Sequence, residues 1–233
     1  MGARERRERE RSELREKIMD AARAMFSAEG YDAVSMRRIA EQIEYSAAAI
    51  YAYFPDKESL FREICRTDFG TLLDAFKELA QVNDPLVRIY LTGHGYISFG
   101  MHHPSHYRMM FMRECPPIPP EAQDLAKMDD PNEDGYAFVR AAVIDALDAG
   151  LLRAEFVDPE LVTQTIWATV HGVTSIEITF RNDPWLDLRP LEHRRTMALD
   201  LVMSGILRDP SQLTRVKQQA LEVIAADRSK GEA

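Results

Sequence analysis

Cysteine is nearly absent: the chain of 233 residues holds two, Cys65 and Cys115, far apart in sequence. No disulfide framework can be built from them, and the scarcity fits a reducing compartment such as the cytosol. No apolar run reaches the roughly 18 residues of a membrane-spanning helix, so no membrane partner is expected. The opening MGARERRERERS is charged throughout and lacks the apolar segment of a secretory signal. There is no Gly-x-Ser-x-Gly elbow, no phosphate-cradling glycine loop and no dinucleotide fingerprint, so no catalytic residue and no cofactor is assigned. An excess of positive charge is missing too. The net charge is −9, which at first argues against a nucleic-acid partner. Its distribution softens that objection without demonstrating DNA binding: residues 1–57 hold 11 Lys+Arg and 11 Asp+Glu, so the whole deficit lies in residues 58–233.

What is present is helical periodicity. Leu14, Ile18, Ala21, Ala22, Met25 and Phe26 recur at spacings of three and four, and Gly30 stops that helix. Ser35 is an N-cap for a short helix whose inner face is Met36, Ile39, Ala40 and Ile43. A tight connection at Glu44-Tyr45 leads to Ser46, a further N-cap, and to Ala47–Phe54. Asp56 caps a long helix to about Ala80, with Leu60, Phe61, Ile64, Leu72, Leu73, Phe76 and Leu79 inward. Asp84-Pro85, Asp130-Pro131 and Asp158-Pro159 each place a capping carboxylate before a proline at the first helical position, where its missing N–H costs nothing. Pro190 opens a helix to about Leu207, and Asp209-Pro210 precedes an amphipathic stretch to about Ala226. The run from Cys115 to Pro120 reads as a loop. The expected fold is all-α, about ten helices with no internal repeat.

Three helices, of which the second and third are short, capped and tightly joined, have the geometry of a helix-turn-helix. The run Gly30–Ala40 (GYDAVSMRRIA) and the later Ile50–Leu60 (IYAYFPDKESL) resemble the N-terminal domain of the TetR family of transcriptional regulators. Two departures stand out. The usual turn glycine is Glu44, and the small-Gly-Thr start of the third helix is Ala47-Ala48-Ala49. The resemblance implies a double-stranded DNA operator as partner. It places Arg37 at a base edge, Ser35 near a phosphate, and Tyr51 and Lys57 on the backbone. Tyr53 falls near the groove, and Ser46 through Ala49 fall at the groove-entering end of the third helix. Three alanines can offer only methyl groups, which pack on thymine methyls. Hydrogen-bonded readout would then shift to Arg37, Arg38 and the tyrosine hydroxyls.

In the remainder, Tyr96–Phe99 (YISF), His103–Phe111 (HPSHYRMMF) and Trp167–Gly172 (WATVHG) resemble the C-terminal domain of one TetR branch, known by its Trp-His-Gly signature. The resemblance implies a pocket for a small, partly apolar effector and a homodimer through helices near 159–181 and 190–207. Tyr96, Phe99, Tyr107, Met110, Phe111, Trp167 and His171 are the candidate lining residues; each is equally an ordinary core residue by type, and Trp167 with His171 could form a structural clamp. The domain layout expected is an arm over 1–11, a helix-turn-helix domain over 12–57, an effector and dimerisation domain over 58–208, and a C-terminal amphipathic helix and tail over 209–233.

Two features stay open. Arg4, Arg6, Arg7, Arg9 and Arg11 either enter a minor groove or belong to a solvated helix extension paired with the interleaved glutamates. His102 and His106 have a zinc-like spacing, with His103 and Cys115 nearby, but Pro104 interrupts them and no glutamate follows His102, so no metal is assigned. The reading is a ligand-responsive, DNA-binding regulator, a repressor released from a near-palindromic operator. Its rival is a helical enzyme or ligand-sequestering protein whose first three helices only pack.

Overall fold

A computed structural model describes residues 2–112 and 129–231. The described residues form ten helices: α1 (Ala3–Glu29), α2 (Met36–Gln42), α3 (Ala47–Tyr51), α4 (Lys57–Leu79), α5 (Pro85–His102), α6 (Pro104–Phe111), α7 (Gly135–Asp148), α8 (Pro159–Phe180), α9 (Leu191–Ile206) and α10 (Gln212–Gly231). Extended pairing among them is limited to one isolated antiparallel bridge, Leu152 with Leu207. The all-α expectation holds. The loop expected over Cys115–Pro120 lies outside the described residues. The chain divides into two compact units, one of Met1–Phe69 with α6, the other of Gly70–His102 with α7 to α10.

In the first unit the apolar stripe of α1 (Ile18, Ala22, Phe26) meets Met36, Ile39, Ile50 and Phe54 from the short helices and Leu60, Phe61 and Ile64 from α4. Phe26, Tyr31 and Phe61 close the α1 end in a ring cluster with centroids 5.1–5.6 Å apart. Each fully buried apolar side chain contributes about 1.5–3 kcal/mol. Met109 of α6 belongs to the same core, although some forty residues of sequence separate it from α4's contribution. The α2–α3 turn closes with Tyr45 N–H on the Ala40 carbonyl (2.9 Å) and Glu44 N–H on the Glu41 carbonyl (3.2 Å). Glu44 sits at φ 63°, so this residue occupies the left-handed position that glycine usually fills.

In the second unit α5 is buried along most of its length, from Leu86 to Gly100. Gly93 permits this: a Cβ there would stand 2.6 Å from Leu199 Cδ2 of α9. Asp84 and Asp158 cap α5 and α8 as their Asp-Pro pairs require, accepting from Leu86 and Val87 N–H and from Glu160 and Leu161 N–H. The third pair behaves differently. Asp130 closes a turn on Asn132, and α7 begins five residues later with Asp134 as its cap on Tyr136 N–H (2.8 Å). Two aspartates compete for one start, and the first is spent on its own turn.

Candidate nucleic-acid interface and ligand site

Ser35 and Ser46 are N-caps, their hydroxyls accepting from Arg38 N–H (3.3 Å) and Ala49 N–H (3.2 Å). These two bonds start α2 and α3 at positions where a residue without a side-chain acceptor would leave an N–H unpaired. With Ile50 and Phe54 buried, Ala48 and Tyr51 are left on the surface, Tyr51 with 52% of its area exposed. Ala47, Ala49 and Tyr53 are half-buried. Arg37 is open, its guanidinium paired with Glu41 at 2.9 Å. An exposed pair at this spacing holds about 0.3–0.5 kcal/mol, so the guanidinium exchanges partners easily.

Two of the expected contacts have other work. Arg38 donates to both carboxylate oxygens of Glu29 (2.7 and 3.0 Å) and to the Ala33 carbonyl (2.8 Å), tying the start of α2 to the end of α1. Lys57 Nζ donates to the Tyr31 and Val34 carbonyls (3.0 Å each) and stands 4.1 Å over the Tyr31 ring. Both charges are anchored to the α1–α2 connection. Tyr45, exposed in the turn with Lys17 stacked on its ring at 5.3 Å, was not among the expected residues. A tyrosine in a tight turn beside the third helix is the signal that pointed to it.

A further group was missed. Asp68 is fully buried and grips Arg23 through both oxygens, with Nε at 3.1 and 3.0 Å. His106 Nδ1 lies 3.1 Å from the same carboxylate, so the trio joins α1, α4 and α6. The sequence signal was an aspartate interrupting the stripe Leu60, Ile64, Leu72 at the position where an apolar residue belongs. His102, by contrast, bonds the Ser98 carbonyl within α5, and Pro104 starts a new helix after it.

The seven candidate ligand residues fall into two groups. Tyr107, Met110 and Phe111 sit on α6 in the first unit, with the Tyr107 ring fully buried and 5.0 Å from Phe111. In the second unit Tyr96, buried on α5, meets α8. Trp167 Nε1–H donates to the Tyr96 hydroxyl (3.0 Å), which stands 3.2 Å from His171 Nδ1. Phe99 is buried one turn further along α5. Burial holds the His171 imidazole below its ordinary pKa, so at neutral pH its Nδ1 can accept from Tyr96 while that hydroxyl accepts from Trp167. Protonation would turn the acceptor into a donor and break the chain.

The unfolded chain takes up a proton at His171 near pH 6.5 and the folded chain does so only at lower pH, so stability drops as pH falls below about 6.5. In a pH series of thermal unfolding, His171→Gln should flatten this part of the profile. An unchanged profile would remove His171 as its origin.

A capped two-helix turn on a three-helix core, followed by a separate helical unit, defines the class: a helix-turn-helix protein. Residues 18–64 match the family "Bacterial regulatory proteins, tetR family", and residues 89–194 match the "Tetracyclin repressor-like, C-terminal domain". The chain belongs to the TetR family. HTH-type transcriptional repressor AcnR of Corynebacterium diphtheriae is 35% identical over 69 residues, covering 30% of this chain and 36% of that protein. HTH-type transcriptional repressor KstR of Rhodococcus jostii is 36% identical over 79 residues, covering 34% of this chain and 37% of that protein. The chain thus spans little more than a third of the length of these curated relatives. A TetR family transcription regulator from Marinobacter aquaeolei VT8 shares the fold at 19% identity, with a TM-score of 0.65 over 86% of this chain and 98% of that one. No helix among the described residues is long and apolar enough to cross a membrane.

Proposed function

We propose that this chain is a ligand-responsive transcriptional repressor that acts as a homodimer on a near-palindromic operator. The observation that carries it is the α2–turn–α3 unit, with Arg37, Tyr45, Ala48 and Tyr51 left exposed around a buried Ile50. Arg37 reads a base edge, and Ala47, Ala48 and Ala49 approach thymine methyls. Tyr51 and Tyr53 hold the backbone, while Ser35 and Ser46 present helix N-terminal amides toward phosphates. Arg38 and Lys57 contribute by holding the unit in shape.

The Tyr96–Trp167–His171 cluster is the proposed effector contact, consistent with the Trp-His-Gly branch of the family. The proposed dimer face is the exposed side of α8 and α9, where Leu161, Ile176, Phe180, Met197 and Leu201 are uncovered and Gly172 and Gly205 leave open space above the backbone. Two recognition helices must stand about 34–36 Å apart to enter successive major grooves. An effector that stabilises another separation weakens operator binding tenfold for each roughly 1.4 kcal/mol of differential affinity. α4 is the lever, because it contributes to both units and changes from one to the other at Gly70.

The test is binding to the DNA flanking its own coding region, measured over a salt series. Affinity better than micromolar with a steep log–log salt slope is expected, and Arg37→Ala should cost about 1–3 kcal/mol at one base position. A flat slope, or no binding below micromolar, would leave the first three helices as a packing module of an enzyme or sequestering protein.

A further inference from the structure

The arm resolves into helix: α1 begins at Ala3, and its residues from Arg4 to Glu13 are exposed. It therefore projects about 15 Å, ten residues at 1.5 Å each, beyond the part of α1 that packs. Three ion pairs line it, Arg4–Glu8, Arg6–Glu10 and Arg9–Glu13, all at the helical spacing that supports an exposed helix. Arg7 and Arg11 are in none of them. The residue four beyond Arg7 is Arg11, and four beyond Arg11 is Arg15, so a ladder of like charges runs along one face. Such neighbours destabilise a free helix by about 0.2–0.5 kcal/mol per pair.

The ladder leads to the recognition unit. Arg15 stacks on Phe54 at 5.2 Å and pairs with Glu63 at 2.5 Å. One turn earlier, Arg11 stands 5.9 Å over the ring of Tyr53, next to α3. Arg7 is the next rung outward. In register, this face continues the buried stripe of Ile18, Ala22 and Phe26 by steps of three and four. Arg4, Arg6 and Arg9 are matched by glutamates along the helix and Arg15 by Glu63, whereas Arg7 and Arg11 are in none of these pairs.

We propose that Arg7 and Arg11 form a rigid second DNA contact, placing two guanidinium groups per protomer on phosphates flanking the half-site that α3 reads. A polyanion neutralises the ladder that the free helix leaves repelling, and phosphates need no sequence match. The arm thus adds affinity and operator length without adding base readout. This rests on the DNA-binding reading above.

Two variants with equal loss of charge test it: Arg7→Gln with Arg11→Gln, and Arg6→Gln with Arg9→Gln. The probes are a minimal operator duplex and one extended on both flanks. The inner pair should lower the log–log salt slope by about 0.9 for each phosphate no longer neutralised, near 2 per protomer, and abolish the advantage of the extended duplex. The outer pair should leave both unchanged. Equal effects from the two pairs would mean a diffuse field and overturn the proposal, as would no effect from either. If the unaltered protein binds neither duplex, the DNA-binding reading itself fails and takes this one with it; far-UV circular dichroism on each variant confirms that the helix is kept.

Discussion

Asp68→Ala is expected to destabilise the first unit by about 3 kcal/mol, the lower end of the usual cost of breaking a buried ion pair, because Arg23 keeps Asp20 as a second, exposed partner at 2.5 Å. Arg23 keeps only 7% of its side chain exposed, so the Nε and Nη2 donors that faced Asp68 cannot turn to water once that carboxylate is gone. A loss of that size is a large fraction of the roughly 5–15 kcal/mol that holds a typical domain. The double variant Arg23→Met with Asp68→Leu should recover most of it, since apolar replacements of similar volume often match a buried pair. Denaturant unfolding of the three proteins measures this. A single-variant loss below about 1 kcal/mol would show that water reaches the pair. Because the pair joins α1 to α4 on either side of α2 and α3, operator affinity should fall together with stability.

Ile176→Glu combined with Leu201→Glu is expected to turn the proposed dimer into monomers and weaken operator binding by about a thousandfold, near 4 kcal/mol. Across a two-fold interface each substitution occurs twice, so four carboxylates would have to be dried with no cation opposite them. A monomer keeps its own recognition helix but loses the free energy of the second. Sedimentation at micromolar concentration and binding to a full operator read the two effects separately. A variant that remains dimeric would place the interface elsewhere than α8 and α9.

Much of the fold was legible because its signals are local. A serine hydroxyl reaches an amide three residues on, so Ser35 and Ser46 mark the starts of α2 and α3 wherever the chain lies in space. Asp84 and Asp158 are legible for the same reason. Asp130 was not, because Asp134 offered a second cap within one turn and the choice depended on how residues 129–134 closed. At Glu44 the sequence showed a departure from the glycine expected in the turn, and the backbone there is left-handed all the same, held by the two bonds of the helix end.

The candidate site divides along the same line. Exposure of Arg37 and Tyr51 follows from helical periodicity, since Ile39 and Ile50 fix which faces turn inward. The anchoring of Arg38 by Glu29 and of Lys57 by the Tyr31 and Val34 carbonyls does not, because a long side chain chooses among partners that only folding brings near. Likewise the Tyr96, Trp167 and His171 contact spans some seventy residues of sequence, and α6 joins the core of the first unit although it follows α5 in the chain. Helix identity, helix ends and the helix-turn-helix were written in short-range spacing, where backbone geometry leaves few alternatives. The partners of the charged groups and the grouping of helices into two units were decided by tertiary packing, because burial and ion pairing depend on what lies across a gap that periodicity does not describe.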